Sequence, residues 1–244
     1  MEPSIRNLAT KRYIITSRSF TKKEYTPSER QTNLKGEPII WRWGPERLQN
    51  EASALAFIRE RTTIPVPRVL YCGKDSDGAM CLEVEYIHGI TCDDIGETCR
   101  MPQAHDSAGK CLECEKIAFG NTNKFIESEV IPQLRSLTSK QTGLNGVVIP
   151  PPRIQEFDGR TTWLPIRSPP GREYVFCHGD LTRSNIILDP ETLTVKSIID
   201  WETAGFLPEN LELPLWRLDY AQYMDTFRDH AEIEQSIRLL TAED

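Results

Sequence analysis

Residues 174–208 constrain the fold of this chain most strongly, because short apolar runs alternate there with polar loops in YVFCHGDLTRSNIILDPETLTVKSIIDWETAGFLP. The apolar runs occupy residues 174–177, 185–188 and 195–199. Their length and their Val and Ile content are typical of strands. The intervening DPET at 189–192 is rich in turn-forming residues, so the second and third runs are predicted to form a β-hairpin.

The register of this hairpin brings polar side chains to one of its ends. If Leu188 pairs with Val195, Asn185 lies at the end away from the turn, and Asp200 lies about 7 Å beyond the residue that pairs with Asn185. Asp180 precedes Asn185 by five residues, in the loop that leads to this same end. Two carboxylates and one amide are therefore expected to converge there.

These three side chains suit a hard divalent cation and a proton acceptor. Mg2+ takes oxygen ligands, usually one or two from the protein and the rest from substrate phosphates and water. A carboxylate that does not bind the metal can accept a proton from an attacking hydroxyl. The residues therefore predict phosphoryl transfer, with Asp180 as the general base and Asn185 and Asp200 as metal ligands.

Both halves of this stretch also carry a recognisable motif. His178, Asp180 and Asn185 satisfy H-x-D-x-x-x-x-N, and Asp200 in IDW stands fifteen residues after Asn185. Together they resemble the aminoglycoside phosphotransferase and choline kinase-like family, whose relatives include the protein kinases. The resemblance makes His178 a residue that holds the loop and Asp200 the counterpart of the aspartate in D-F-G.

The resemblance implies an α+β, two-lobed, protein-kinase-like fold. Residues 1–87 would form the nucleotide-binding lobe around a small antiparallel sheet. Residues 88–244 would form a mainly helical lobe that carries out catalysis and binds the acceptor. Asp-Gly at 77–78 marks a tight turn between strands predicted at 68–72 and 79–86.

In such a nucleotide-binding lobe, a strand supplies a cation to the α- and β-phosphates and the next helix supplies a carboxylate that orients it. The short run PIIWRW at 38–43 is typical of a strand, and apolar residues at helical spacing predict a helix over 46–61. Arg42 and Glu51 are the matching positions, although the family more often has lysine where Arg42 stands. Ordinary surface charges are the alternative for both residues.

The same resemblance suggests where the adenine would bind. The segment CLEVEYIHG resembles the crossing between the two lobes, where Glu85, Tyr86 and Ile87 would present backbone groups to the ring. A plain strand end is the alternative. Residues 11–30 carry six Lys or Arg against two Glu, and they would face either the phosphates or solvent.

The predicted function is Mg2+-dependent transfer of the ATP γ-phosphate to a hydroxyl of a small molecule. A kinase-like binding or scaffold protein without turnover is the alternative. Two features favour that alternative: arginine replaces the usual lysine at Arg42, and residues 1–37 contain no G-x-G-x-x-G loop. The residues do not distinguish ATP from GTP, and they do not identify the acceptor.

Composition excludes several other classes. The 244 residues are 39% hydrophobic and carry a net charge of −7, which is typical of a globular protein and disfavours a nucleic-acid binder. No apolar run is long enough to cross a membrane, and the first residues lack the apolar core of a signal peptide. A cytoplasmic protein is the expectation.

Seven cysteines stand at 72, 81, 92, 99, 111, 114 and 177, an odd number that favours reduced thiols over a disulfide framework. Cys111 and Cys114 form one C-x-x-C, and no second pair follows at zinc-ribbon spacing. A zinc site that includes Cys92, Cys99 or His105 is one interpretation, and scattered thiols are the other. Cys177 precedes His178 directly, and adjacent residues of an extended chain point apart, so a thiol–imidazole pair is disfavoured.

The remaining expectations concern the larger lobe. A helix is predicted over 123–137, with a kink or break at Pro132. Residues 141–172 contain many prolines and are predicted to form an ordered, irregular loop. Helices are predicted over 209–227 and 233–240, and Trp201 is expected to belong to the core.

Overall fold

The computed structural model describes residues 3–101, 103 and 109–241. The first half of the chain forms a five-stranded antiparallel sheet in the order β1-β2-β3-β5-β4. Its strands are β1 (Ser4–Asn7), β2 (Lys11–Ile15), β3 (Ser19–Glu24), β4 (Val69–Lys74) and β5 (Met80–Glu85). The two strands predicted for 68–72 and 79–86 correspond to β4 and β5.

Helix α1 (Gly44–Arg61) packs against β3, β4 and β5. Its apolar face buries Leu48, Leu55 and Ile58, which repeat at helical spacing and are at most 1% exposed. The helix predicted over 46–61 is therefore present. Its polar residue Glu51 is also buried, which brings a carboxylate under the sheet.

The strand predicted for residues 38–43 is absent, and this prediction was wrong. Of these residues only Pro38 takes part in a β-bridge, an isolated one with Thr32. Ile40 is 66% exposed, and Trp43 adopts a left-handed backbone with φ of 55° just before α1. Aromatic and β-branched residues favour strands only where a neighbouring strand offers a surface to pack on. Here the segment instead forms the approach to α1.

The middle of the chain is helical. Helices α2 (Leu112–Phe125) and α3 (Ile131–Ser136) are joined by a π-helical segment, Ile126–Val130, in which the Ile131 N–H donates to the Ile126 carbonyl. Pro132 lacks an N–H group, so it removes a helical hydrogen bond just after this segment. The break predicted near Pro132 is present in this form.

Two three-stranded sheets carry the motif-bearing stretch. One has the order β10-β9-β6 and the other β11-β8-β7. Their strands are β6 (Ile90–Thr91), β7 (Thr138–Ser139), β8 (Tyr174–Cys177), β9 (Ile186–Leu188), β10 (Val195–Ile198) and β11 (Gly205–Leu207). Leu188 pairs with Val195, as the predicted hairpin register requires.

Prolines divide the end of the chain. Short helix α4 (Pro152–Phe157) lies within the otherwise irregular stretch predicted for 141–172. The single helix predicted over 209–227 is wrong: two 3-10 turns, Glu209–Leu211 and Leu215–Arg217, precede α5 (Tyr220–Asp225). Pro208 and Pro214 precede these two turns. Helix α6 (His230–Leu240) covers the segment predicted over 233–240.

The main core lies beneath these elements and includes Trp201, which is 0% exposed. Among the described residues, no helix combines the length and the apolar character that crossing a lipid bilayer requires.

Candidate active site

The loop between β8 and β9 is held in a tight path by Gly179. This glycine has a φ of +81°, and a Cβ at its position would lie 3.0 Å from the Thr203 hydroxyl. A larger residue would meet both a left-handed backbone and this close neighbour. The Thr203 hydroxyl also donates to the His178 carbonyl at 3.0 Å. The shape of the loop therefore requires the glycine of the HGD sequence.

His178 connects this loop to the end of β10. The ring is 0% exposed and lies against Trp201 with ring centroids 4.5 Å apart. Its Nε2 forms a hydrogen bond with the Ile199 carbonyl at 3.0 Å, and its Nδ1 accepts a hydrogen bond from the Asp180 N–H at 3.3 Å. Burial lowers the pKa of His178 to about 4. A neutral imidazole thus bridges two segments, which agrees with the positioning role predicted for it.

Cys177 takes no part in this bridge. Its thiol donates to the Val175 carbonyl at 3.7 Å, and burial raises its pKa. A buried thiol with a raised pKa is a poor nucleophile. The structure therefore supports the argument against a thiol–imidazole pair.

Asp180 lies at the mouth of the loop and is only partly buried. The Asn185 side-chain amide donates to the Asp180 backbone carbonyl at 2.8 Å and to its Oδ2 at 3.4 Å. The Tyr223 hydroxyl of α5 donates to Oδ1 at 3.1 Å. Burial, followed by the negative charge of Asp200, raises the pKa of Asp180 to about 7. Such a pKa suits a group that accepts a proton near neutral pH.

Asn185 and Asp200 meet at the same end of the hairpin. The Ile199 N–H donates to the Asn185 carbonyl at 3.0 Å, so Asp200 follows directly after a residue bonded to Asn185. Asp200 itself adopts a left-handed backbone with φ of 64°. The side-chain nitrogen of Asn185 is engaged by Asp180, which leaves its amide oxygen as the group that suits a metal. One amide oxygen and one carboxylate form a donor set that fits Mg2+.

Lys22 of β3 is the cation of this site, and the sequence analysis did not assign it. The residue is 5% exposed, and its Nζ lies 2.6 Å from Glu51 Oε2 and 2.5 Å from Asp200 Oδ1. Burial alone would lower the pKa of Lys22, but Asp200 and Glu51 outweigh it and raise this pKa. Burial would likewise raise the pKa of Asp200, whereas Lys22 holds it below its ordinary value. Lys22 and Asp200 thus form a charged pair that joins the sheet to the hairpin.

Glu202 extends this network. Its carboxylate lies 2.8 Å from Arg47 Nη1, 3.4 Å from Lys11 Nζ and 3.9 Å from Lys22 Nζ. One carboxylate oxygen each from Glu51, Asp200 and Glu202 lie within 4.8 Å of one another. The Lys22 ammonium contacts all three residues and therefore supplies positive charge to this acidic cluster.

Arg42 lies elsewhere, which corrects its predicted role as the partner of Glu51. Its Nη1 donates to the carbonyls of Gln155 and Asp158, at 2.9 and 3.0 Å. Its guanidinium also lies over the Trp43 ring, 5.4 Å from the centroid. Arg42 thus fastens the approach of α1 to the end of α4, and Lys22 occupies the position beside Glu51.

The segment predicted to bind adenine begins at Glu85, the last residue of β5, and continues through Ile87. The N–H of Glu85 donates to the Arg68 carbonyl and that of Tyr86 to the Arg18 carbonyl, at 2.8 and 2.9 Å. These two N–H groups are therefore engaged within the protein. The groups that could bind adenine are thereby narrowed to the carbonyls of Glu85, Tyr86 and Ile87 and the N–H of Ile87.

Glu212 is a second residue that the sequence analysis missed. Its Oε2 accepts from the N–H groups of His178 and Gly179, at 2.5 and 3.1 Å, while its Oε1 is buried without a hydrogen-bond partner. Burial raises the pKa of Glu212 to about 7, although these N–H groups and Arg153 favour the charged form. Glu212 thus braces the HGD loop from more than thirty residues away.

We expect Glu212→Gln to change the pH dependence of stability. Between the ordinary pKa of 4.5 and about 7, Glu212 carries a proton in the folded protein but not in the unfolded chain. The resulting stabilisation of the folded state is complete below pH 4.5 and disappears as pH rises to 7. Glutamine is neutral throughout. The stability of the wild type relative to the variant should therefore fall between about pH 4.5 and 7, by about 3 kcal/mol.

Urea unfolding of both proteins at several pH values measures this difference. Glu209→Gln is the matched control, because Glu209 is exposed and pairs with exposed Arg135. Its profile should follow that of the wild type. Parallel profiles for Glu212→Gln and the wild type would contradict the assigned burial of this carboxyl group, which also faces Asp180.

Comparisons with known proteins identify the family of this chain and its fold. A family model described as "Phosphotransferase enzyme family" matches residues 34–208. A solved thermostable mutant of the aminoglycoside phosphotransferase APH(4)-Ia, in its apo form, aligns at 14% identity and a TM-score of 0.52, over 98% of this chain and 82% of the other. An aminoglycoside-3'-phosphotransferase of type VIII aligns at 18% identity and a TM-score of 0.49, over 97% and 86%.

No sequence among the curated proteins is significantly similar to this chain. At 14% identity, the match to APH(4)-Ia shows the fold alone. The predicted α+β, protein-kinase-like fold is confirmed by that match together with the antiparallel sheet of the first half and the helices that follow.

Proposed function

We propose that this chain, which belongs to the phosphotransferase enzyme family, transfers the γ-phosphate of ATP to a hydroxyl group of a small molecule with the help of Mg2+. The observation that carries this proposal is the contact of Lys22 with both Glu51 and Asp200. A cation from the sheet, a carboxylate from α1 and a carboxylate from the end of the hairpin are the parts that a kinase-like nucleotide site requires.

The chemical step assigns one task to each residue. The acceptor hydroxyl forms a bond to the γ-phosphorus, the bond from that phosphorus to the bridging oxygen breaks, and ADP leaves. Asp180 accepts the hydroxyl proton. Lys22, oriented by Glu51, binds the α- and β-phosphates, and the carbonyl of Glu85 and the N–H of Ile87 bind the adenine.

The residues at the end of the hairpin fit the metal. Asn185 and Asp200 would hold Mg2+ through oxygen atoms, and the bound metal would neutralise charge on the phosphates. Asn185 also donates to Asp180, so it fixes the position of the base relative to the phosphate site. The Tyr223 hydroxyl restrains the same carboxylate from the other side.

A kinase-like binding protein without turnover is the second candidate. The turn that joins β1 and β2, residues 8–10, contains no glycine, which favours this candidate because a glycine-rich turn usually covers the phosphates. Arginine instead of lysine at position 42 no longer favours the binding protein, because Lys22 contacts Glu51. In both cases we expect a cytoplasmic protein that binds ATP.

We expect ATP to raise the melting temperature of the protein, and Mg2+ to increase this shift. A ligand that binds only the folded state stabilises it by mass action. The effect should be lost in Asp200→Ala, because this variant lacks the carboxylate that would bind Mg2+ and that contacts Lys22. Asp189→Ala is a suitable control, because Asp189 lies in the turn at the other end of the hairpin.

A panel of acceptors then separates the two candidates. Aminoglycosides, choline-like amines, sugars and amino alcohols are incubated with radiolabelled ATP, and phosphorylated product is measured. Product formation by the wild type supports the enzyme. A Mg2+-dependent thermal shift without any product favours the binding protein. No thermal shift with ATP or GTP would contradict both.

A further inference from the structure

Three cysteines lie together at the start of α2, well apart in sequence from the residues discussed above. The sulfur atoms of Cys99, Cys111 and Cys114 all lie within 4.8 Å of one another. Cys111 and Cys114 are 2% and 0% exposed, and Cys99 is partly buried. Sulfur ligands of a tetrahedral zinc ion, each about 2.3 Å from the metal, lie roughly 3.8 Å apart. The three sulfurs are thus close to that arrangement without a metal.

The backbone holds these sulfurs in position. Cys111 is the residue that caps the N-terminus of α2, and its N–H donates to the Gly96 carbonyl at 2.8 Å. The N–H of Arg100 donates to the Cys114 sulfur at 3.3 Å, and the N–H of Met101 hydrogen-bonds the Cys99 sulfur. N–H groups directed at sulfur fix the side chains in place, as the hydrogen bonds around metal ligands do.

The other cysteines are used differently. Cys92, which the sequence analysis considered for the same site, shares a hydrogen bond with the Thr122 hydroxyl at 3.5 Å. Cys177 donates to a backbone carbonyl within β8. His105, also considered there, lies outside the described residues. The cluster is therefore confined to three of the seven cysteines.

We propose that Cys99, Cys111 and Cys114 bind one zinc ion. A disulfide between Cys111 and Cys114 would use two sulfurs and would not account for the third. Three thiolates around a soft cation do account for all of them, and water or a further ligand would complete the tetrahedron. The metal would fasten the segment that follows β6 to the first turn of α2.

This attachment would stabilise the larger lobe. Helix α2 packs on β10, and the Asn121 side chain donates to the Leu193 carbonyl in the turn between β9 and β10 at 2.9 Å. Zinc at the start of α2 would therefore help to hold the helix that supports the hairpin. The inference does not depend on the proposed function, because it concerns residues outside the nucleotide site.

Metal content of the purified, reduced protein tests the proposal directly. We expect about one zinc per chain by mass spectrometry of the metal, and a thiolate-to-metal charge-transfer band when Co2+ replaces zinc. Cys99→Ser should weaken zinc binding at least tenfold, since even changes outside the ligand shell weaken metal sites by that factor or more. Cys72→Ser, in β4 and outside the cluster, should bind zinc as the wild type does.

Thiol labelling gives a second measurement that does not require a variant to fold. In the wild type, zinc should protect three thiols from a thiol reagent, and a chelator should remove this protection. Substoichiometric metal in reduced protein after zinc is added, or a Co2+ complex without a thiolate band, would overturn the proposal. A disulfide between Cys111 and Cys114, detected as a mass lower by two hydrogens in protein purified without reductant and loaded with zinc, would do the same.

Discussion

Asp180→Asn is expected to abolish most phosphate transfer while leaving ATP binding intact. Asparagine keeps the size of the side chain and its contact with the Tyr223 hydroxyl, but it cannot accept the proton of the acceptor hydroxyl. Loss of a positioned general base typically lowers the rate by about a hundred- to ten-thousandfold. We therefore expect kcat to fall by such a factor, measured by product formation with the best acceptor of the panel.

The control separates this loss from damage to the fold. Asp189→Asn changes a carboxylate that caps the hairpin turn through the N–H groups of Glu191 and Thr192. It should retain kcat close to that of the wild type. ATP should stabilise Asp180→Asn and the wild type to a similar extent, because Asp180 is not assigned to the nucleotide. A variant with undiminished kcat would remove Asp180 from the role of base.

The hairpin and its polar end were predictable because they depend on contacts close in sequence. The six-residue connection 189–194 fixes the register of β9 and β10, and the register carries Asn185 to the end where Asp200 stands. The fourteen residues between them leave little freedom for another arrangement. The placement of Asn185 and Asp200 at one end of the hairpin therefore follows from spacing.

The cation was mispredicted because it depends on pairing between distant strands. Residues 38–43 have the composition of a strand but find no sheet to join, whereas SFTKKE looks like a polar surface segment and forms β3. The sequence contained one signal. Phe20 and Lys22 are two positions apart along this strand, so their side chains lie on the same face of the sheet. Only the burial of that face distinguishes Lys22 from its neighbour Lys23.

Glu212 gave no signal in the sequence at all. It stands in a proline-rich stretch without a motif, and it contacts backbone N–H groups, which every residue except proline possesses. Its role follows from the paths of two distant chain segments. Contacts of this kind require coordinates, because no pattern of side chains specifies them.

Lys22→Met is expected to destabilise the protein and to remove ATP binding. Methionine preserves much of the apolar length of the side chain but leaves Glu51 and Asp200 without their shared cation. Removing one partner of a buried ion pair typically costs about 3–5 kcal/mol, because the remaining charges are desolvated and unpaired. Urea unfolding without nucleotide measures this loss, and a thermal-shift titration measures the loss of ATP affinity.

Two matched variants give this prediction its controls. Lys23→Met alters the next residue of β3, whose Nζ pairs with Asp75 and with the 64% exposed Asp77 at the surface, so its effect on stability should be much smaller. Arg42→Met tests the position that the sequence suggested, and it should retain ATP binding because Arg42 contacts α4 rather than Glu51. If Arg42→Met lost ATP affinity and Lys22→Met kept it, the phosphate-binding role would return to Arg42. Equal stability of Lys22→Met and Lys23→Met would show that the buried charge network contributes little to folding.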